Sequence, residues 1–309
     1  MKLLDCTLRD GGYYTGWDFT MSDAVAIIEA LARGGIDIIE LGYKAQYGAC
    51  EHGQFRYLDE WMLRDLPKPD GVEFAAMVDV KDAAGTDLDA IIHDAEKSPL
   101  DWIRLCSYIE DIDKVPGLIS YFKKRGYKVT LNLMQVELLT AAQKSDARVS
   151  AYRADVFYLA DSLGNFNPDN LKKELMVLSS YFDVGLHLHD NKGLAYGNAI
   201  SAQVDYLDSS LLGMGRGAGN LATEKFIQCP EIYDVLENIM QPLKDKYKWG
   251  PNPAYQYSAS MAIHPTYPQV LCSSGMRLKD VISALQSIPG NKRHRVDRGL
   301  LNSLKGVSQ

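Results

Sequence analysis

A (β/α)8 barrel with a C-terminal helical extension is the fold the sequence predicts, and three observations carry it. Eight apolar or β-branched runs follow one another, with amphipathic stretches of helical length between most of them. Runs and helical stretches together span about 225 residues, the length such a barrel needs. Polar residues stand at the C-terminal ends of the runs, where barrels place their active sites. The competing fold, an open doubly wound sheet, usually carries a Gly-rich phosphate turn after its first strand. Here Gly11-Gly12 is followed by Tyr13, Tyr14 and Thr15, which do not open a helix as that turn does.

The first strand is predicted over Leu3–Leu8 and gives way to Arg9, Asp10 and two glycines. A helix follows over Ser22–Gly34, with Ser22 as N-cap and Gly34 as stop. Strand two, Ile36–Leu41, carries Glu40 near its end, and strand three covers Val72–Val78. Helix Asp87–Lys97 leads to strand four, Trp102–Cys106, and helix Asp113–Arg125 to strand five, Lys128–Met134, which carries Asn132 and is followed by Gln135. Strand six, Val156–Ala160, runs into Asp161, Ser162 and Gly164. The helix Asn170–Tyr181 has Pro168 and Asp169 where its first turn begins. Strand seven is Val184–His189 and strand eight Tyr206–Leu211, followed by the glycine-rich stretch Gly213–Asn220. Lys225–Met240 reads as the eighth helix, bent or restarted by Pro230. Trp249–Pro253 reads as a linker, and from Ala254 onward only helices are expected, Arg277–Ser287 among them. The chain therefore divides into a barrel catalytic domain, residues 1–240, and a helical cap, residues 241–309, packed across the barrel.

Composition narrows the function. The chain has 309 residues, 46% hydrophobic content and a net charge of −7, which argues against general affinity for nucleic acid. No apolar run approaches the ~20 residues of a membrane span. The N-terminus turns polar too soon for a signal peptide. Five scattered cysteines, 6, 50, 106, 229 and 272, show neither zinc spacing nor a disulfide framework. A reduced, cytoplasmic protein is expected.

His187 and His189 lie two apart in one strand, so both rings point the same way and can grip one ion. Lone histidines more often pack or face solvent. What distinguishes this pair is its company. In a closed barrel, strands seven, eight, one and two are neighbours, which brings Asp10, His187, His189 and Asn220 to one rim. A carboxylate with two imidazoles suits a divalent first-row metal and leaves positions open for substrate. Strict alternation puts Arg9 and Asp10 on opposite faces, so both reach the site only if the strand breaks, which Gly11 and Gly12 permit. Glu40 reads as the carboxylate that pairs with Arg9. The 213–220 glycines serve either as a phosphate cradle or, the preferred reading, to let the backbone pass close to the metal site and place Asn220.

Together, Thr7-Leu8-Arg9-Asp10-Gly11, Glu40, His187-Leu188-His189-Asp190, and Gly217-Ala218-Gly219-Asn220 followed by Glu224 resemble the metal-dependent aldolase and lyase superfamily built on a barrel with an Asp-Arg-Glu signature. That superfamily includes 4-hydroxy-2-oxovalerate aldolase, 3-hydroxy-3-methylglutaryl-CoA lyase, and the isopropylmalate and homocitrate synthases. The resemblance covers roughly residues 1–226. It implies that Asp10, His187 and His189 ligate Mn²⁺ or Mg²⁺, with Asn220 a ligand or close partner. It also implies that Arg9 faces a developing enolate, that Glu40 holds Arg9, and that Ser162 contacts the substrate carboxylate. Asn132 is expected beside the substrate too. The implied activity is cleavage or formation of a 4-hydroxy-2-oxo acid through a pyruvate-type enolate, whose charge a divalent cation and a guanidinium both stabilise. A small 2-oxo acid and an aldehyde would be the ligands, in a homo-oligomer; an aldehyde dehydrogenase partner occurs with such aldolases, and nothing in this sequence marks its interface.

The sequence departs from the aldolases at one position. They carry a His three residues after the metal-binding Asp, and this chain has Tyr13. Tyr13 is expected to act as an acid or hydrogen-bond donor in the metal pocket, or to pack with Tyr14 and Trp17. Tyr43, Lys44, His52, His264 and Tyr257 are the other groups considered for the site. Two alternatives stand beside the aldolase. One is an acyl-CoA-dependent condensing synthase, for whose extra regions the chain has little room. The other is a barrel that binds an oxo acid without turnover. The CoA lyases carry a cysteine before the Gly-Asn pair, and Leu211–Gly219 has none.

Overall fold

Eight parallel strands close into one barrel in chain order: β1 (Lys2–Asp5), β2 (Ile38–Tyr43), β3 (Glu73–Asp79), β4 (Trp102–Ser107), β5 (Lys128–Met134), β6 (Val156–Asp161), β7 (Asp183–Leu188) and β8 (Tyr206–Ser209). The computed structural model describes residues 1–47, 52–83 and 85–306; Cys50 lies outside them. β8 closes on β1 with Leu3 opposite Leu207 and Asp5 opposite Ser209.

The period-two alternation of strands sorts the barrel interior into layers. The layer at the N-terminal end is apolar, formed by Leu4, Ile38, Ala75, Trp102, Val156 and Tyr158. Two residues further along, the same inward faces carry Glu40 on β2, Arg104 on β4, His187 on β7 and Asp208 on β8. Gly185 on β7 makes room for this arrangement, since a Cβ there would meet the Tyr158 ring at 2.4 Å. The outward faces of the strands pack with the surrounding helices in the main apolar core.

Several expected boundaries move. β1 ends at Asp5, not Leu8. The Asp5 carboxylate accepts from the Thr7 N–H at 2.8 Å and from the Thr223 hydroxyl at 2.6 Å, which turns the chain into a short helix over Thr7–Asp10. Gly11 is needed there for closeness rather than for an unusual φ: a Cβ would meet Met214 Sδ at 2.6 Å. The helix after β1 is Met21–Arg33, capped by Thr20 rather than Ser22, with the Thr20 hydroxyl accepting from the Asp23 N–H at 3.0 Å. The single helix expected over Asp87–Lys97 is instead one turn at Leu88–Ile91 and a 3-10 turn at Ala95–Lys97. The intervening backbone bonds elsewhere, Ala95 N–H to Arg125 O and His93 O to the Tyr127 hydroxyl. The helix expected from Asp113 begins at Val115, behind a 3-10 stretch over Ile109–Lys114. The eighth helix starts at Pro230, not Lys225, and continues to Tyr247 through a widened turn at Leu236–Met240. Pro242 has no N–H to donate one turn back, which accounts for the widening.

Beyond residue 247 come helices Pro253–Ser260, Thr266–Ser273, Leu278–Gln286 and Arg298–Gly306. They share an apolar cluster that includes Ala254, Ile263, Tyr267, Leu271, Val281 and Leu285. This region meets the barrel at the C-terminal rim. Trp249 Nε1 donates to Leu212 O at 3.0 Å, Gln269 Nε2 to Tyr13 O at 3.2 Å, and Gln135 Nε2 to His294 O at 2.5 Å. The helical extension therefore borders the face where the strands end. Among the described residues, no helix is long and apolar enough to cross a membrane.

Candidate active site

Asp10, His187 and His189 converge at that rim, one ligand atom from each lying within 4.8 Å of the others. Three atoms each ~2.0–2.4 Å from one ion can be no farther apart than this. Asp10 comes from the helical turn after β1 and His187 from the end of β7. His189 lies just beyond that strand, in an antiparallel bridge with Asn220. His187 Nδ1 lies 2.9 Å from Asp208 Oδ2, and His189 Nδ1 lies 3.1 Å from the Arg216 carbonyl. Those acceptors place the ring protons on Nδ1 and leave both Nε2 lone pairs free, a tautomer assignment that follows from the network. His187 Nε2 is 3.6 Å from Asp10 Oδ2. Asn220 Nδ2 donates to the same Asp10 oxygen at 2.5 Å, while Asn220 Oδ1 is buried without a hydrogen bond.

The charges match a metal site. Burial lowers the His189 pKa to about 3, helped by neighbouring His187, so this imidazole is neutral. Burial alone would raise the Asp10 pKa, but Arg9, His187 and His189 outweigh it and hold the carboxylate well below its ordinary range. An ionised carboxylate, two imidazoles and an unpaired amide oxygen form a donor set that a divalent first-row cation fits.

Arg9 is almost fully buried and doubly held. Its Nε donates to Glu40 Oε2 at 2.7 Å and its Nη1 to Asp10 Oδ1 at 2.5 Å. The break in β1 brings Arg9 and Asp10 to the same site, and it comes from the Asp5-capped turn described above. Arg104 and Asp208 complete the layer beneath. Arg104 forms ion pairs with Glu40 at 2.9 Å and Asp208 at 2.6 Å, and its guanidinium lies over the Tyr158 ring at 4.4 Å. Sequence reasoning passed over both. The available signal was a lone arginine inside the apolar strand Trp102-Ile103-Arg104-Leu105-Cys106.

A cavity of about 170 Å³ opens beside this cluster. Arg9, Tyr13, Asn132, Ser162, His187 and His189 all line it. Asn132 Oδ1 accepts from the Thr130 hydroxyl, and Ser162 Oγ accepts from the Gln135 N–H. Tyr13 does two things at once. Its ring packs edge-on against Trp17, centroids 5.0 Å apart, and its hydroxyl shares a 2.9 Å hydrogen bond with the Tyr43 hydroxyl. Tyr14 turns the other way, donating to Gly217 O at 2.7 Å. The cavity wall also holds Asp79 and Arg216, which the sequence did not single out.

Other expected contributors sit elsewhere. Lys44 is buried and ion-paired with Glu60 at 2.8 Å, and His52 packs on Trp17; neither lines the cavity. Tyr257 packs in the helical extension, and the tail tyrosine that meets the barrel is Tyr255, 3.3 Å from the Tyr14 hydroxyl. His264 does reach the rim, with Nε2 3.5 Å from Arg216 Nη1.

Fold and site define a (β/α)8 barrel with a carboxylate–imidazole centre at its C-terminal rim. Residues 1–241 match the HMGL-like family, and the chain belongs to it. It is 30% identical over 232 residues to an oxaloacetate decarboxylase of Mycobacterium tuberculosis, covering 72% of this chain and 67% of that protein. It is 25% identical over 267 residues to a 4-hydroxy-2-oxovalerate aldolase of Geobacillus genomosp. 3, covering 79% and 78%. Among solved structures, an N-terminal domain from a Bacteroides vulgatus protein with an aldolase designation superposes with a TM-score of 0.81 at 30% identity. That match covers 92% of this chain and all of that one. The HMG-CoA lyase of Bacillus subtilis shares the fold, with a TM-score of 0.62 at 17% identity over 81% of this chain and 94% of the lyase.

Proposed function

We propose that this protein is a divalent-metal-dependent carbon–carbon lyase that cleaves or forms a 4-hydroxy-2-oxo acid. The observation that carries the reading is Arg9, held by Glu40 and Asp10 on the wall of a cavity that His187 and His189 also line, with Asp10 clustered beside the two imidazoles. The names of two relatives, oxaloacetate decarboxylase and 4-hydroxy-2-oxovalerate aldolase, are both those of carbon–carbon lyases, which supports the reading. Asp10, His187 and His189, with Asn220 Oδ1, would hold the cation, which supplies Lewis acidity toward the 2-oxo group. When the C3–C4 bond breaks, its electron pair moves onto the C2 oxygen. Arg9 is fixed in advance to meet that negative charge, so little reorganisation is needed. The C4 hydroxyl gives up its proton as the aldehyde forms, and C3 takes one to complete pyruvate. Tyr13, hydrogen-bonded to Tyr43, is the cavity hydroxyl placed to pass that proton on. Burial pushes the Tyr43 pKa up, so Tyr43 stays protonated and anchors Tyr13. Ser162 and Asn132 present polar groups to the acid's carboxylate.

A second reading is decarboxylation of a 3-carboxy-2-oxo acid, in which the C3–carboxyl bond breaks to carbon dioxide and the same enolate. It is favoured by Tyr13 itself. Decarboxylation releases no carbinol proton and needs no base where the aldolases keep a His.

Exchange of pyruvate methyl protons with deuterium, followed by proton NMR, tests the shared core. Exchange should require added Mn²⁺ or Mg²⁺, stop with chelator and return with metal. His189→Ala should lower bound metal measured by elemental analysis. Exchange indifferent to chelator would refute the reading. Tyr13→Phe separates the two chemistries. It should slow aldol cleavage by ~100-fold, the usual weight of a positioned acid–base group, and slow decarboxylation far less. Equal losses in both would make Tyr13 a packing residue.

A further inference from the structure

Arg216 is set apart from the other buried arginines of the site by having no ion-pair partner among the described residues; Asp10 acts on it only at longer range. Arg9 has Asp10 and Glu40, and Arg104 has Glu40 and Asp208. No carboxylate among the described residues lies within ion-pair distance of Arg216, and its Nε is buried without a hydrogen bond. Its guanidinium lies over the Tyr13 ring at 4.6 Å and lines the cavity. The nearest polar side-chain atom recorded for it among the described residues, His264 Nε2 at 3.5 Å, does not supply an acceptor. His264 Nδ1 accepts from the Thr266 N–H, so the ring proton sits on Nε2, the atom that meets Arg216. Asp79, the carboxylate on the cavity wall, interacts with Arg56 and Lys81 and accepts from the Lys81 N–H.

The backbone under Arg216 is fixed. A Cβ at Gly215 would strike Asn220 at 2.4 Å and one at Gly217 would strike Asn191 at 2.6 Å, so the loop is wedged between those two side chains. The Arg216 carbonyl meanwhile orients His189. A guanidinium held this way, desolvated and facing a cavity, is stabilised by an anion that binds its fork. We propose that Arg216 binds a second carboxylate on the substrate, making this an enzyme for dicarboxylic 2-oxo acids. This rests on the lyase reading, in which the first carboxylate and the 2-oxo group lie toward Asp10, His187 and His189. The cavity, about 170 Å³, has His187, His189 and Arg216 on its wall, the placement that a short acid with a carboxylate at each end requires.

Paired ligands of equal length that neither chemistry cleaves test the assignment by binding alone: 2-oxoglutarate against 2-oxopentanoate, and N-oxalylglycine against N-ethyloxamate, each by calorimetry with the metal-loaded protein. The wild type should prefer the dicarboxylate at least ~10-fold, the discrimination of a bidentate charged contact. Arg216→Gln should bring the ratio near unity, and Arg216→Lys should restore part of it. A wild-type ratio near one overturns the proposal. So does an Arg216→Gln variant in which both members of each pair weaken equally, since Arg216 would then hold the shared carboxylate or only support the fold. If Arg216→Gln does not fold, the wild-type and lysine ratios still decide. Because the readout is binding, failure of pyruvate proton exchange would remove the lyase reading without producing either ratio.

Discussion

Arg9→Ala is expected to lower pyruvate methyl-proton exchange by at least ~100-fold while metal content stays at the wild-type level near pH 8, the loss typical of a removed oxyanion donor. The guanidinium touches Asp10 and also lines the cavity wall, so it stands between the ligand carboxylate and the substrate space. The three ligand residues and Asn220 survive the substitution, so the cation still has its donors. Two side effects follow from the same contacts. Glu40 keeps only Arg104, and the fold loses about 3 kcal/mol as a buried pair is broken. Asp10 loses the cation that does most to hold its pKa down, so its folded pKa rises and metal affinity falls as pH is lowered. Arg9→Lys keeps the charge and loses the fork that spans two carboxylates, so it should recover only part of the rate. Near-normal exchange by a metal-replete Arg9→Ala protein would make Arg9 a structural residue.

The barrel was legible because its signals are long and repeated. Eight apolar runs at βα spacing leave few other folds, and each expected strand overlaps an observed one. Most misplaced boundaries trace to side-chain contacts that periodicity does not encode. β1 stops early because Asp5 finds Thr7 and Thr223, a residue more than two hundred positions away. The Asp87–Lys97 helix breaks because its backbone is claimed by Arg125 and Tyr127 on another unit.

The rim residues were legible for a related reason. Strand ends are where a barrel displays chemistry: His187 and His189 stand at the end of β7, and Asp10 and Asn220 lie in the segments that follow β1 and β8. Arg104 and Asp208 were not, since they lie one layer below, inside strands, where hydropathy alone reads them as interruptions. Arg216 was hidden by its setting among glycines, which drew attention to the backbone instead of the side chain. Lys44 and His52 show the reverse error. Proximity to a strand end in sequence says nothing about which way a loop residue turns, and Lys44 turns to Glu60.

Arg104→Leu is expected to destabilise the protein by about 3–5 kcal/mol, because it leaves Glu40 and Asp208 buried with one cation fewer between them. A midpoint some ~6–10 °C lower by differential scanning calorimetry would match that loss in a domain of this size. The loss should depend on pH in a direction the site dictates. In the wild type, burial would raise the Asp208 pKa, but Arg104 and His187 outweigh it, so the carboxylate is ionised and its pairing stabilises the fold above the unfolded pKa. Without Arg104 the burial effect is left with less opposition, and the folded pKa of Asp208 rises. Folding the variant then takes up a proton, so it is most handicapped at neutral and higher pH and recovers as pH falls through that raised pKa. At lower pH still, below the unfolded carboxylate pKa, the wild type loses its own contribution as well. The stability gap should therefore narrow toward acid, read from denaturant unfolding at a series of pH values. It should narrow further in Arg104→Leu/Asp208→Asn, where the orphaned charge is gone. A gap that is constant with pH would mean that Arg104 supports the barrel by packing on Tyr158 rather than by holding the carboxylate that orients His187.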